Sequence, residues 1–196
     1  MSQVSTPAID PDADLIFGLR AGDERALSSL MDRHMSAIHK LAFYMLGDQM
    51  AAEDITQSVF LKTWTHMPTW QTGQAKLLTW MRRVATNACL DALKKKKPIY
   101  TDDVPDVNDE ADTPFEALAR AQQRQYVQAA LGALPDNQRA AVTLSYYQAV
   151  SQKEGAAILE ISEGAYESLL VRARKNLKAR LSESKNLENK NNETTG

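Results

Sequence analysis

The chain has 196 residues, 43% of them hydrophobic and 24% charged, with a formal net charge of -2. That is enough apolar material for one large or two small domains, while the near-neutral balance does not by itself point to nucleic acid. One cysteine, Cys89, excludes an internal disulfide framework and a multi-cysteine zinc site. No signal-peptide pattern opens the chain, and no apolar run reaches the roughly 18 residues of a membrane helix. The expectation is a cytoplasmic protein without membrane insertion. Glycines are few, and Ala, Leu, Gln, Lys, Arg and Glu dominate, which predicts an all-α fold.

Residues 1–11 are polar, carry two prolines and are predicted to be disordered. An amphipathic pattern then begins at Asp12 with Leu15, Ile16 and Leu19 and breaks at Gly22-Asp23. Asp23 suits the N-cap of a helix over about 24–46, whose apolar stripe includes Leu30, His34, Ile38, Leu41 and Met45. Gly47-Asp48 ends it. A third helix is predicted over about 50–66, with Ala52, Ile55, Val59, Phe60 and Thr63 on one side and Glu53, Asp54, Gln57, Lys62 and Trp64 on the other. Residues 68–74 read as a loop, by their Pro, Gly and small polar residues. A fourth helix follows over 77–97, ended by Pro98. Leu77, Trp80, Met81, Val84, Ala88 and Leu93 form its apolar stripe, and Lys94, Lys95, Lys96 and Lys97 crowd its end. Cations suit a helix C-terminus, but so dense a cluster in an acidic chain points to a polyanion.

From Thr101 to Glu116 the composition turns acidic, with no basic residue and with Pro105 and Pro114 as interruptions. This predicts an extended linker over 99–117 between a first domain, 12–98, and a second, 118–182. The second domain opens with a helix to Leu134, followed after Pro135 by one over about 138–147. Helices over about 151–159 and 163–181, separated by Glu160-Ile161-Ser162, match a helix-turn-helix. Arg172, Arg174, Lys175, Lys178 and Arg180 give the second helix of that pair an acid-free run of cations fit for phosphates. A purely structural helical hairpin with a solvated basic face is the plainer alternative. Residues 183–196 are polar and predicted to be disordered. His34, His39 and His66 lack metal-ligand spacing, and there is no phosphate loop, nucleophile elbow or paired-carboxylate arrangement, so neither enzyme chemistry nor a cofactor or metal is expected.

Two basic patches therefore lie on either side of an acidic linker. The first adjoins Trp70 and Trp80, and aromatics beside cations suit unpaired bases. The second belongs to a duplex reader. Three segments carry a resemblance at this point. AAEDITQSVFLKTW (51–64), TWMRRVATNACLDALKKKKP (79–98) and LPDNQRAAVTLSYYQAVSQKEGAAILEISEGAYESLLVRARKNL (134–177) resemble, in order, the core-polymerase-binding, minus-ten and minus-thirty-five segments of the extracytoplasmic-function (group IV) sigma factors. The likeness covers about 12–182 and implies two helical domains joined by the acidic linker.

The resemblance implies that Asp54, Gln57, Phe60, Leu61 and Trp64 dock, or support docking, on core RNA polymerase, with the clamp helices of the largest subunit and the flap as contact points. It places Asn87 near the minus-ten bases and the segment from Trp70 to Lys76 at an everted base. Arg82, Arg83 and Lys94 to Lys97 would hold backbone phosphates. Glu167, Ser168, Val171 and Arg172, with Lys153 and Lys175 beside them, would serve the minus-thirty-five duplex. An anti-sigma factor is a further implied partner, and the linker would thread a nucleic-acid channel of the polymerase or act as a tether. The departures are Leu77 where relatives often have an aromatic, Gly155 where they have isoleucine, and Glu167 where they are often basic. Two rivals remain: a stand-alone helix-turn-helix regulator using only 134–181 for DNA, and a helical adaptor that binds no DNA.

Overall fold

The computed structural model describes residues 10–71, 73, 75–95 and 125–193, with side chains up to residue 180. The acidic linker, Lys96, Lys97 and the start of the helix predicted from Ala117 lie outside the described residues, as do residues 1–9 and 194–196. Helices α1 (Ala13–Arg20), α2 (Glu24–Leu46), α3 (Gln49–His66) and α4 (Leu77–Lys95) build the first half, with a 3-10 turn at Met67–Thr69. Helical residues 125–132, called α5, open the second half, followed by α6 (Asp136–Val142), α7 (Gln152–Leu159) and α8 (Glu163–Glu193). Among the described residues there is no strand.

The helix ends follow local chemistry. Asp23 and Asp48 cap α2 and α3 by accepting from the amides of Arg25 and Ala51. Gly47 ends α2 in the left-handed region at φ 68. Ser151 caps α7 by accepting from the Glu154 amide, and Glu154 sits three residues on, the capping-box pattern. Asp136 lies in the first turn of α6 behind Pro135, where its charge suits the helix dipole. At its C-terminal end α6 continues into a π-turn, Thr143–Tyr147. The last helix does not stop near residue 181 but runs to Glu193. No glycine or proline interrupts 165–193, and Leu, Glu, Lys and Ala keep helix propensity high there.

The larger core joins α1, α2, α3 and α4 through Leu19, Leu30, Ile38, Leu41, Met45, Val59, Leu77 and Met81, all nearly or wholly buried. In α4 the seam is Leu77, Met81, Ala85, Thr86 and Cys89, while Trp80, Val84, Ala88 and Leu93 are only half-buried. The predicted stripe is thus rotated. A strict four-residue spacing with small Ala85 and Cys89 lets α4 lie close against α2 and α3. A second core gathers Leu131, Leu134, Ala141, Val142, Ala156, Tyr166, Leu170 and Ala173. The two are not separate bodies in this structure, because Leu144, Val150 and Ile158 of the second half join the larger core.

Gly155 explains one departure noted in the sequence. The Tyr166 ring lies against it so closely that a Cβ at 155 would overlap the ring. Tyr166 is wholly buried and its hydroxyl donates to the Ala141 carbonyl at 3.0 Å. The helix-propensity cost of the glycine, about 1 kcal/mol, is offset by the packing of a full tyrosine between α6, α7 and α8.

Candidate nucleic-acid interface

On α3, Asp54 and Gln57 are exposed, Leu61 is 64% exposed and Trp64 is half-buried. Phe60, predicted with them, is buried in the core, so it supports this face from behind instead of presenting to a partner. Met50, 77% exposed, extends the strip. Sequence reading missed it, although 50, 54, 57 and 61 share one helical face. Exposed apolar side chains flanking a carboxylate and an amide make a surface suited to another helix.

The loop after α3 leads into α4 through an aromatic cluster. Trp70 is buried, edge-to-face with Trp80 at 5.7 Å, and the Trp80 ring stacks on His66 at 5.0 Å. Trp70 therefore serves as a wall of the core here and offers no face for base stacking, contrary to the sequence expectation. Its large apolar ring gains more from burial than a surface loop could provide. Lys76 and Asn87 are exposed. Lys94 and Lys95 are exposed too, and Asp91 stands 3.5 Å from the Lys94 ammonium, a neighbour the sequence reading did not weigh.

Arg82 and Arg83 take a different position from the one predicted. Nη1 of Arg82 lies 3.3 Å from Glu154 Oε1, its Nη2 donates to the Gln148 carbonyl at 3.2 Å, and its Nε donates to the Gln148 side chain at 3.3 Å. Thr79 also donates to Glu154 Oε1, at 2.7 Å. Burial pulls the Arg82 guanidinium below its ordinary value, opposed by the nearby Glu154 charge. Arg83 faces Glu160 at 3.6 Å. Both arginines of the predicted phosphate grip are thus met by carboxylates of the helix-turn-helix. The same contact continues on α2, where Gln148 Nε2 donates to the Ala37 carbonyl at 2.8 Å and Arg139 Nη1 to the Met45 carbonyl at 2.8 Å. Tyr44 stacks on Tyr147 at 3.7 Å between centroids. None of this was readable in the sequence, since no local period links positions up to 111 apart.

On α8, Glu167, Ser168, Val171, Arg172 and Lys175 are all exposed and share one face, opposite the buried Tyr166, Leu170 and Ala173. Arg172 Nε donates to the Ser168 carbonyl at 3.1 Å, which holds the guanidinium along the helix. Ser162 caps α8 by accepting from the Ala165 amide, and Glu160 makes the turn at φ 56. Lys153 is exposed on α7. Arg174, counted from sequence among the phosphate cations, instead lies over the Tyr146 ring at 5.8 Å and donates to its hydroxyl. Among the described residues no group of His, Cys, Asp and Glu is arranged to hold a metal. His34 pairs with Asp12, and His39 and His66 stack on rings. Burial pushes the Cys89 thiol up to about 12, so at neutral pH it is a packed apolar group.

Comparison with known proteins agrees with this geometry. Residues 30–99 match the family model Sigma-70 region 2, and residues 124–177 match Sigma-70 region 4. The chain is 34% identical over 166 residues to the ECF RNA polymerase sigma factor SigM of Mycobacterium tuberculosis, covering 85% of this chain and 82% of that protein. It is 29% identical over 174 residues to the ECF RNA polymerase sigma factor SigW of Bacillus subtilis, covering 83% of this chain and 92% of that one. In fold it is similar to CnrH, solved in complex with the cytosolic domain of CnrY, with a TM-score of 0.69 at 24% identity over 88% of this chain and 98% of CnrH. It is likewise similar to the sigma factor RpoE of Bartonella quintana, solved with the anti-sigma factor NepR, with a TM-score of 0.64 at 20% identity over 79% of this chain and 96% of that one. Two family models in the expected order, a relative of this identity and coverage, and a helix-turn-helix with an exposed face on its second helix lead to one assignment: the chain belongs to the ECF RNA polymerase sigma factors.

Proposed function

We propose that this chain is a group IV, promoter-specificity subunit of RNA polymerase, acting in the cytoplasm and catalysing no reaction itself. In this reading α3 docks on the clamp helices of the largest polymerase subunit through Asp54, Gln57, Leu61 and Met50, with Phe60 and Trp64 behind them. The second half engages the flap. α8 enters the minus-thirty-five major groove with Ser168, Val171, Arg172 and Lys175, supported by Lys153. Glu167 adds base choice, since a carboxylate accepts from cytosine N4 but repels phosphate. α4 serves the minus-ten element: Asn87 meets a base edge, while Lys76 and the lysine run hold phosphates, joined by Arg82 and Arg83 only when these leave Glu154, Gln148 and Glu160. An anti-sigma factor controls access, as the fold shared with the RpoE–NepR pair suggests.

The observation that supports this reading best is the pairing, in one chain, of an exposed apolar-acidic strip on α3 with an exposed helix-turn-helix face on α8. A stand-alone regulator has use for the second and none for the first. In vitro transcription with purified core enzyme and a genomic library tests it. Promoter-specific transcripts that share two spaced motifs are expected. Active core that gives no specific transcript with this chain would overturn the reading. For Glu167, promoter binding by Glu167→Ala should change with the base opposite it. A uniform loss over all single-base variants would remove its assigned role.

A further inference from the structure

The amide that opens α4 is satisfied from far away. Lys76 stands at the N-cap position, since its carbonyl accepts the first helical bond, from the Trp80 amide at 3.1 Å. A lysine side chain carries no acceptor and cannot cap the helix it precedes. The next amide, that of the fully buried Leu77, instead donates to the carboxylate Oδ2 of Asp10 at 2.7 Å, across 67 positions of chain.

Asp10 is itself fixed. Its other carboxylate oxygen accepts from the Asp12 amide at 3.0 Å, and its carbonyl accepts from the Ala13 amide at 3.0 Å. Asp12 is buried, its two carboxylate oxygens each 2.9 Å from His34 Nε2, and it also accepts from Arg33 Nη1 at 2.8 Å. The stretch from Asp10 to Asp12 therefore fastens the start of α4 to the middle of α2. α1, which continues from it, packs against the 3-10 turn that follows α3. A carboxylate at this end of α4 also suits the helix dipole.

We propose that Asp10 is a positioning residue for minus-ten reading. By capping α4 from outside, it sets where Lys76 and the DNA-facing side of α4 with Asn87 stand relative to α2. This rests on the minus-ten role given to α4 above. Asp10 touches no base in this scheme; it acts through the helix it caps.

The test uses the full chain, as Asp10→Ala and Asp10→Asn. The amide variant retains an acceptor oxygen and lacks the charge. Hydrogen exchange at the Leu77 amide of the free protein reads the cap directly. Open-complex formation with core polymerase reads the consequence, on one panel of single-base minus-ten variants and one of minus-thirty-five variants. In Asp10→Ala, Leu77 exchange should rise roughly fivefold, in keeping with a lost cap. Discrimination among minus-ten variants should fall while the minus-thirty-five panel is unchanged, and Asp10→Asn should restore most of both. Unchanged Leu77 exchange, or unchanged minus-ten discrimination in a wild type that transcribes, overturns this proposal alone. An equal loss on both panels also overturns it, because it marks a general defect of fold. A wild type that gives no specific transcript with active core overturns the parent reading and this one together.

Discussion

In α4, the side chains expected to meet DNA are partly taken: Arg82 is held by Glu154 and Gln148, and Arg83 faces Glu160. In α8, Glu167, Ser168, Val171, Arg172 and Lys175 stand exposed along one face. Both helices bury one side and both carry clustered cations. The difference lies in which other element reaches them. α7 packs against α4 and brings its carboxylates with it, whereas this face of α8 is left uncovered by the described residues. Cationic sequence thus marks where phosphate can be held, and the packing of the partner helix decides whether the charge is available. Because the carboxylates that meet α4 belong to the helix-turn-helix, the two halves of the chain are not independent in this arrangement.

The largest effect should come from breaking the α7–α8 fit behind the exposed face. Gly155→Ala forces a methyl group into the Tyr166 ring, an overpacking worth about 1–3 kcal/mol. Thermal melts should show the loss, and minus-thirty-five binding should fall with it; wild-type stability would show that the ring has room. Replacing the lysine run, Lys94 to Lys97, by alanine should weaken binding to many promoters alike and flatten its salt dependence, by up to about one unit of slope per lysine engaged. Asn87→Ala should change which minus-ten sequences work and leave the slope intact. If the two variants behave alike in a promoter-by-salt titration, the division of α4 into grip and reader is wrong.

Smaller effects sharpen the comparison. Tyr166→Phe removes the hydroxyl bond to the Ala141 carbonyl and should cost about 1 kcal/mol at neutral pH. Burial pushes this phenol from 10.0 up to about 12. The folded chain therefore keeps a proton that the unfolded chain releases. Stability from this group is complete below pH 10.0 and is lost as pH rises through about 12. Alkaline melts of the wild type should show that slope, and those of Tyr166→Phe should show a shallower one, since burial also raises the Tyr147 phenol. Last, Glu154→Ala releases Arg82 and Thr79 from a partly exposed contact worth about 1 kcal/mol at most. Binding of minus-ten single strands by the free protein should strengthen up to roughly fivefold in anisotropy titrations. Weaker binding would mean that Glu154 supports α4 more than it covers it.

Much of this was legible in the chain itself. The spans of α1 and α2, the caps at Asp23 and Gly47, and the helix-turn-helix around Glu160-Ile161-Ser162 follow from periodicity and turn chemistry within a few residues. On α3 the period placed Asp54 and Gln57 on the outer face and missed Met50, while Leu61 and the exposed face of α8 came from the family resemblance. What failed did so for tertiary reasons. Trp70 reads as an exposed loop aromatic until Trp80 and His66 close over it. Arg174 reads as a phosphate cation until Tyr146 comes under it. Gly155 reads as a weak point until Tyr166 fills the space.

By itself, then, the sequence determined the helices, most of their ends, the order of the functional segments and the places where cations gather. These depend on neighbours within one or two helical turns. Only the tertiary structure decided which of those groups are free. It set Arg82 against Glu154, buried Trp70 and brought Asp10 to the amide of Leu77. Such pairings join residues tens of positions apart through packing angles and helix rotation, and no local period encodes them.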